Sequence, residues 1–484
     1  MSDSNVPELR PTFNGSLHVE CREAKITSDG GAVVLREISD RLGVIDWLAE
    51  RLIDPRNPDH IVHPLVELIR TKVFLLALGR RDHDDADALR NDPALRLSVS
   101  ERRALGPLLP APVDEFGQKM VPDGLASQPT LSRLYQAQSD PESRRILRDS
   151  LCEFAVRRIV AENGGHKHQT LGIDVDSIPL EVHGAQEGAK YNGLYEAKIY
   201  HPIVASVAET GDILDIQLRE GNVHTAHDSL DFILAILEKM KGASLHPYLR
   251  IDAGFPEEQL LNGVEVSGAK YVARIKSNAV LDRMGEPHVR LPVGRPPKAP
   301  RTWFYEKMYK AEEWTRARRV VLVVQEVHGE LFPKHFWLLT NWSAKRRPGE
   351  MLLPMYRERG TAEGHQGEFK SVFEPALSSA SRPRLYYRGK PIRRHAQPVK
   401  PFEQNEVQVL FNAIAYNVAH AGRVLMARAT GEGWSLSRFR ERVLLAGGVL
   451  TTHANGIKMV ISGIAQQAWQ QLWPTLAKFT LATT

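Results

Sequence analysis

The sequence predicts an α/β protein in which a sheet-forming middle part is flanked by helical regions. Apolar residues repeat near the 3.6-residue helical period over residues 33–90. From about residue 168 the pattern changes to the alternation of strands, as in HQTLGIDVDSIPLEV. Helical periodicity returns after residue 401, in NEVQVLFNAIAYNVAHAGRVLMA. Together these patterns predict helical ends around a mixed α/β core.

Composition favours an intracellular protein of several domains. The chain has 484 residues, of which 42% are apolar and 25% charged, as in soluble globular proteins. No apolar run approaches the length of a membrane span, and the N-terminus has no segment of signal-peptide type. The only cysteines are Cys21 and Cys152, and neither belongs to a CxxC pair, so the sequence offers neither a disulfide framework nor a cysteine zinc site. We therefore expect a cytoplasmic location and no membrane partner.

Positive charge is concentrated in two later segments. Residues 1–100 hold 13 Lys/Arg and 17 Asp/Glu (13 − 17 = −4), whereas 283–350 hold 14 and 7 (+7) and 376–484 hold 14 and 4 (+10). Neutralisation of phosphates supplies most non-specific nucleic-acid binding. The distribution therefore favours a polyanion such as DNA as the partner of these segments.

Three aspartates stand on predicted strands. Asp174 and Asp176 are two residues apart in one strand and so point to the same face. Asp252, in PYLRIDAGF, stands at the carboxyl end of a later short strand. In chain order, three antiparallel strands, a helix, a strand, a helix and another strand are predicted over residues 168–278. No helix is predicted directly after Asn278, and a later β-hairpin is predicted to turn at His328-Gly329.

The stretch YRERGTAEGHQGEFK, Tyr356 to Lys370, organises the chemistry. On a helix that advances about 100° per residue, Tyr356, Arg359, Glu363 and Lys370 project within about 60° of one another. One carboxylate among two cations and a phenol suits a divalent metal beside a phosphate. The alternative is a solvated charged face, against which the three glycines of this stretch argue, since each costs about 1 kcal/mol relative to Ala.

The spacing Tyr-x2-Arg-x3-Glu-x6-Lys resembles the signature of insertion-sequence DDE transposases of the Tyr-Arg-Glu-Lys (YREK) cut-and-paste group. The resemblance implies an RNase H-like catalytic core with a β-rich insertion between the second acid and the signature helix. The expected division is a helical DNA-binding or dimerisation region (1–150), the first part of the core (165–278), the insertion (279–347), the signature helix (348–375) and a basic helical C-terminal region (376–484).

The resemblance also implies the catalytic residues. Asp176, Asp252 and Glu363 would hold two Mg²⁺ ions, for which Mn²⁺ can substitute, and cleave phosphodiester bonds. The first acid is ambiguous between Asp174 and Asp176, and alignment of the whole stretch favours Asp176. Tyr356, Arg359 and Lys370 would grip phosphates near the cut. Whether cleavage passes through a hairpin is left open.

Further DNA contacts are expected outside the signature. Trp314 could stack on a flipped base, with Arg318 and Arg319 beside it. Arg438, Arg440 and Arg442 could contact the backbone from a C-terminal helix.

The implied function is that of a bacterial, nucleoid-associated transposase. It would bind the terminal inverted repeats of its own element as a homodimer, cut both double-stranded ends and join them to target DNA. Two alternatives are a catalytically silent DNA-binding regulator on the same fold and a metal-dependent nuclease without a joining step.

Overall fold

A computed structural model describes residues 13, 16, 25–110, 113–120, 122–162, 169–182, 184, 186–291, 299–330, 332–375, 377, 386–387, 390–391, 400–453, 456–461 and 463–479. The helices are α1 (Ala32–Leu42), α2 (Val44–Arg51), α3 (Leu65–Ala77), α4 (Asp85–Leu89), α5 (Pro93–Val99), α6 (Gln128–Ala137), α7 (Pro141–Glu162), α8 (Ser229–Gly242), α9 (Glu258–Val266), α10 (Ala279–Gly285), α11 (Gly349–Arg357), α12 (Arg359–Phe373), α13 (Pro401–Thr430), α14 (Leu436–Phe439) and α15 (Gly463–Lys478).

The strands are β1 (Ile26–Thr27), β2 (Thr170–Ser177), β3 (Leu180–Glu181), β4 (Lys190–Asn192), β5 (Ala197–Tyr200), β6 (Ile203–Val207), β7 (Ile213–Gln217), β8 (His246–Ile251), β9 (Lys270–Ile275), β10 (Arg301–Tyr309), β11 (Arg318–Glu326), β12 (Lys334–Thr340), β13 (Tyr386–Tyr387), β14 (Lys390–Pro391), β15 (Gly448–His453) and β16 (Gly456–Ile461). One-turn 3-10 helices lie at Pro58–His60 and Glu286–His288, and a π-helical turn at Arg440–Leu444 follows α14.

One eight-stranded mixed sheet forms the centre of the protein. Its strand order is β10-β11-β12-β9-β8-β2-β6-β7. Strand β2 pairs in parallel with β8, and β8 in parallel with β9, whereas the other neighbours are antiparallel. The predicted β-rich insertion is therefore not detached from the core, because its three strands extend the same sheet beyond β9.

The two faces of the sheet pack against different helices. Odd-numbered residues of β2, such as Ile173 and Val175, share a buried cluster with apolar residues of α7, α8 and α9. On the opposite face, Leu352 and Leu353 of α11 pack against side chains of β8, β9, β11 and β12. The even-numbered positions of β2, which hold both aspartates, therefore face the side where α11 lies.

The N-terminal and C-terminal helical regions share one core. Helix α13 contributes twenty buried residues and packs against α3, α7 and α15. Strand β1 pairs with β15 across almost the whole length of the sequence. The predicted boundary at residue 150 falls inside α7. The two ends of the chain therefore fold together rather than as separate units.

Two local predictions are wrong. The signature was expected on one continuous helix, but the helix is divided at Glu358, so Tyr356 ends α11 and Arg359 begins α12. No helix was expected directly after Asn278, yet α10 begins there because the Asn278 side chain accepts hydrogen bonds from two backbone N–H groups of its first turn. Most of the basic segment 381–400 lies outside the described residues. Among the helices that the structure describes, none combines the length and apolarity needed to cross a membrane.

Candidate active site

Strand β2 brings Asp174 and Asp176 to the helix-facing side of the sheet. It is the middle strand of a parallel and an antiparallel pairing, with Asp174 opposite Arg250 of β8 and Ser206 of β6. Central pairing on both sides fixes the register, since a slip of one residue would turn both carboxylates to the other face. The strand therefore points both aspartates in the same direction, as the sequence predicted.

Asp174 is committed to an internal ion pair. Its side chain is 1% exposed, and its two oxygens accept hydrogen bonds from Arg250 Nε at 2.6 Å and Nη2 at 2.5 Å. Arg250, equally buried, also donates to the backbone carbonyl of Met355. A bidentate buried pair satisfies both charges. This arrangement gives Asp174 a role in fastening β2 to β8 and α11, with no free oxygen directed to solvent.

Asp176 lies one pleat further, at the end of the strand, and is partly open. Its side chain is 20% exposed. One oxygen accepts from the backbone N–H of Ser177 at 2.9 Å, and the other accepts from Arg359 Nη2 at 2.5 Å. Of the two aspartates of β2, Asp176 is therefore the one that faces the signature helix.

Asp252 follows the last residue of β8, the parallel neighbour of β2. It is partly buried, and its Oδ1 accepts from the Gly254 backbone N–H at 2.7 Å, which closes a tight turn after the strand. Carboxyl ends of adjacent parallel strands meet at one edge of a sheet, so Asp176 and Asp252 share that edge.

Helix α12 presents Arg359 and Glu363 to the same edge. The two residues are one turn apart, and Arg359 Nη1 lies 3.5 Å from Glu363 Oε1 while its Nη2 bonds Asp176. The guanidinium is 13% exposed, whereas the Glu363 carboxylate is 65% exposed. Arg359 thus bridges two of the three predicted catalytic acids.

The pKa shifts of Asp176 and Tyr356 indicate that the acids lie near one another. Burial raises the pKa of Asp176; Arg359 lowers it, and the charges of Asp252 and Glu363 raise it. Burial likewise raises the pKa of the Tyr356 phenol, whose surroundings include Arg359, Arg274 and the same two acids. Three carboxylates therefore surround Arg359 at this edge, and Arg274 is a second cation near Tyr356.

Asp176, Asp252 and Glu363 match a hard divalent ion in the chemistry of their donors, which are all carboxylate oxygens. In the described part of the chain, however, no three such side chains are close enough together to hold an ion. Arg359 donates to one oxygen of Asp176 and lies 3.5 Å from one oxygen of Glu363, so two of these acids already face a cation.

Lys370, the last predicted residue of the signature, stands in the final turn of α12. It is partly buried and makes no ion pair with a described residue. Two turns separate it from Glu363, about 10 Å along the helix axis. The structure therefore groups Tyr356, Arg359 and Glu363 with the aspartates and leaves Lys370 at the margin.

Sequence reasoning missed Tyr195, in the turn between β4 and β5. Its ring lies edge-on to His201, and the phenol is 37% exposed. Burial raises its pKa, and the charges of Asp176 and Asp252 raise it further. Nothing in the local sequence YNGLYEAK marks this residue, because only the fold brings the small β3-β5-β4 sheet beside the acids.

Trp314, Arg318 and Arg319 are not available to DNA in this structure. Trp314 is 6% exposed and packs against Tyr309, with the Arg318 guanidinium 4.9 Å from its ring centroid. Arg318 is 3% exposed and paired with Glu258 and Glu265, and Arg319 is paired with Glu306. This burial and pairing do not fit the base-stacking and phosphate contacts expected of them; Arg318 and Arg319 instead tie β11 to its neighbours.

The three C-terminal arginines divide in two groups. Arg440 points inward and donates to the carbonyls of Ala77 at 3.0 Å and Val372 at 2.8 Å, near the ends of α3 and α12. Arg438 and Arg442 are exposed, and Arg438 lies 4.0 Å above the Trp434 ring. The expected DNA contact therefore does not extend to Arg440, which caps helix ends, a placement favoured for cations.

Comparison with known proteins identifies the family. The model of the family described as Transposase DDE domain group 1 matches residues 9–382, so this chain belongs to that family. A search of curated proteins finds no match. Among solved structures, a cryo-EM structure of the piggyBac transposase synaptic complex with hairpin DNA is similar at 10% sequence identity, with a TM-score of 0.38 over 94% of this chain and 86% of that chain.

Proposed function

We propose that this protein is a DNA transposase of the YREK cut-and-paste group, which cleaves the ends of its own mobile element and joins them to target DNA. The observation that carries the proposal is the meeting of Asp176, Asp252 and the signature residues of α12 at one edge of the sheet, in a chain of the DDE transposase family. The strand order β7-β6-β2-β8-β9 supports an RNase H-like core.

Asp176, Asp252 and Glu363 would hold the divalent ions, Mg²⁺ or Mn²⁺. When bound, two such ions supply an activated water or 3′-hydroxyl and stabilise the departing oxygen. Asp176 is the first acid in this proposal, since both oxygens of Asp174 are taken by Arg250. Asp174 acts as a positioning residue that fixes the strand carrying Asp176.

Arg359 has two partners in this proposal. Without DNA it neutralises Asp176 and Glu363. A phosphate at the cut end can accept two hydrogen bonds from one guanidinium and carries a full negative charge. Transfer of Arg359 to that phosphate would free the acids for ions, so that the acids are released only when DNA is present. The Tyr356 hydroxyl and Lys370 would hold the neighbouring phosphates.

Pairing of two element ends would require at least a homodimer on double-stranded DNA. Arg438 and Arg442, exposed on one side of the C-terminal region, are the contacts we propose for its backbone. A silent regulator is less well supported, because the acids that the resemblance implies are all present. A nuclease without joining shares every feature named above, so only the products distinguish it.

The test is an incubation of the protein with Mg²⁺, labelled DNA carrying the inverted repeats that flank its gene, and a target plasmid. Nicked, fully cut and joined DNA are scored separately over time. Joined product is the expected result. Cut DNA that is never joined would reassign the protein as a nuclease, and binding without cleavage would reassign it as a regulator.

A further inference from the structure

A basic cleft lies at the opposite edge of the central sheet from the acids. It is lined by the first residues of the parallel strands β2, β8 and β9, by the loop that follows β12 and by the end of α8, and it has a volume of about 460 Å³. Its cations are Lys241, Lys270, Arg346 and Arg347. We call this set the rear cleft. The signature residues and the proposed catalytic acids do not explain why four cations lie together here.

Among the residues that the structure describes, no carboxylate compensates the charge of the rear cleft. Arg318 and Arg319, on the neighbouring strand β11, each face a carboxylate. By contrast, Lys270, Arg346 and Arg347 have no acidic partner within the described ranges. Lys241 donates only to the backbone carbonyl of Ser267. None of the residues described as lining the cleft is acidic. Four like charges held together without counterions favour an anionic ligand.

The shape of the surroundings favours an extended polyanion over a single small anion. A second, more open depression of about 810 Å³ adjoins the rear cleft and shares Lys270 and Trp342 with it. It adds Lys307, a further exposed cation without an acidic partner in the described structure, and Arg316, which is paired with Glu265. Two acids, Glu265 and Glu306, also line this depression, but both are paired with arginines. The cations without acidic partners therefore form a strip that continues from the rear cleft to Lys307. Phosphates spaced along a nucleic-acid backbone match such a strip.

The position relative to the acids limits which DNA can reach the strip. Thr170 begins β2 at the cleft, and Asp176 lies six residues later, about 20 Å away at 3.3 Å per residue. About six base pairs of duplex span that distance, at 3.4 Å per base pair. The cleft therefore cannot hold the phosphate being cut, but it lies within reach of a duplex that runs past the acids.

We propose that the rear cleft binds the sugar-phosphate backbone of double-stranded DNA at a distance from the cut, through Lys270, Arg346 and Arg347, without reading sequence. The inference rests on the proposed function, because it takes DNA to be the partner. It adds a second, separate contact surface, which anchors the duplex while the acids act at the other edge of the sheet.

The test measures the salt dependence of duplex binding by fluorescence anisotropy, for the full chain and for the triple variant Lys270→Ala, Arg346→Ala, Arg347→Ala. Each phosphate contact contributes about −0.9 to the slope of log K against log salt, so the slope should become shallower by about 2 to 3 units. A matched control removes three cations that already have acidic partners: Arg145→Ala, Arg157→Ala and Lys334→Ala. The control should keep the wild-type slope.

The outcomes separate this inference from the proposed function. The triple variant should still cleave end DNA when the DNA is saturating, since the acids are untouched. An unchanged slope in a protein that binds and cleaves DNA would overturn the cleft alone. A wild-type protein that neither binds nor cleaves DNA would overturn the proposed function. Tighter binding of duplex RNA than of DNA, lost in the triple variant, would assign the cleft to RNA and overturn the proposal.

Discussion

Replacing Arg359 with alanine should make the DNA-free protein bind divalent ions more tightly. This is the opposite of what the loss of an ordinary active-site residue does. Arg359 Nη2 donates to Asp176 at 2.5 Å, and Nη1 lies 3.5 Å from Glu363. The guanidinium therefore contacts carboxylate oxygens that a divalent ion would use. In the wild type, an ion must first displace this cation.

The magnitude follows from the stronger of these two contacts. A hydrogen bond between charged groups contributes about 1.5–3 kcal/mol. If displacement of Arg359 costs that much, the Kd for Mn²⁺ should fall by about 10- to 100-fold in Arg359→Ala, at 1.4 kcal/mol per tenfold. The contact to Glu363 is longer and more exposed, so it adds little.

Isothermal titration of the DNA-free protein with Mn²⁺ measures this change. Lys370→Ala is the matched control, because it removes a cation from the same helix about 10 Å beyond Glu363, where screening weakens its effect. Its Kd should stay near that of the wild type. A Kd for Arg359→Ala equal to or weaker than that of the wild type, with an unchanged melting temperature, would refute the bridging role of Arg359.

Three further predictions follow from single buried contacts. Asp176→Asn should abolish cleavage with little loss of stability. Asp174→Asn should instead lower the melting temperature, because it leaves Arg250 buried and half-paired. The reverse pattern would exchange the roles of the two aspartates. Arg440→Ala should lower the free energy of unfolding by about 1–3 kcal/mol in a urea titration, because it leaves two helix-end carbonyls without a donor. An unchanged urea midpoint would place the Arg440 side chain in solvent. Burial lowers the pKa of His420 to about 3 in the folded protein, whereas an unfolded histidine has a pKa of about 6.5. Between about pH 3 and about pH 6.5, His420 is therefore protonated in the unfolded chain but neutral in the folded one. Stability should therefore fall on acidification by up to about 1.4 kcal/mol per pH unit for this group, and His420→Gln should flatten that dependence.

The hydrogen bonds of His420 explain why it stays neutral. Nε2 lies 2.7 Å from the Thr210 carbonyl oxygen, which can only accept, so the ring proton is on Nε2. Nδ1 then accepts from Arg423 Nη2 at 3.0 Å. A second ring proton would place two donors against each other. Two partners thus fix the tautomer: Thr210, in the turn between β6 and β7, and Arg423, on α13 itself.

The features that sequence could predict are those fixed by local pattern. The alternation of β2 placed its aspartates on one face, the turn at Gly329 was visible between β11 and β12, and the position of Asp252 after a short strand could be read directly. Each depends on neighbours in sequence. Helical periodicity likewise predicted the long helix α13.

The features that sequence could not predict depend on distant pairing. The sequence does not show that Asp174 is paired, because its partner Arg250 stands opposite it on another strand, 76 residues away. Trp314 resembled an exposed aromatic among arginines, but Arg318 was already paired with acids of α9. The approach of Tyr195 to the acids depends on the packing of a separate small sheet. Such contacts leave no periodic trace in the sequence.

The most direct test of the central claim, that three carboxylates at one sheet edge carry out DNA cleavage, is a single-turnover nicking assay. Wild-type protein and the variants Asp176→Asn, Asp252→Asn and Glu363→Gln are each saturated with labelled DNA that carries the flanking inverted repeats, and Mg²⁺ starts the reaction. Every variant should bind this DNA within a few-fold of the wild type and form no nicked product. Nicking at the wild-type rate by any one of the three would contradict the assignment of that acid and, with it, the account of this site.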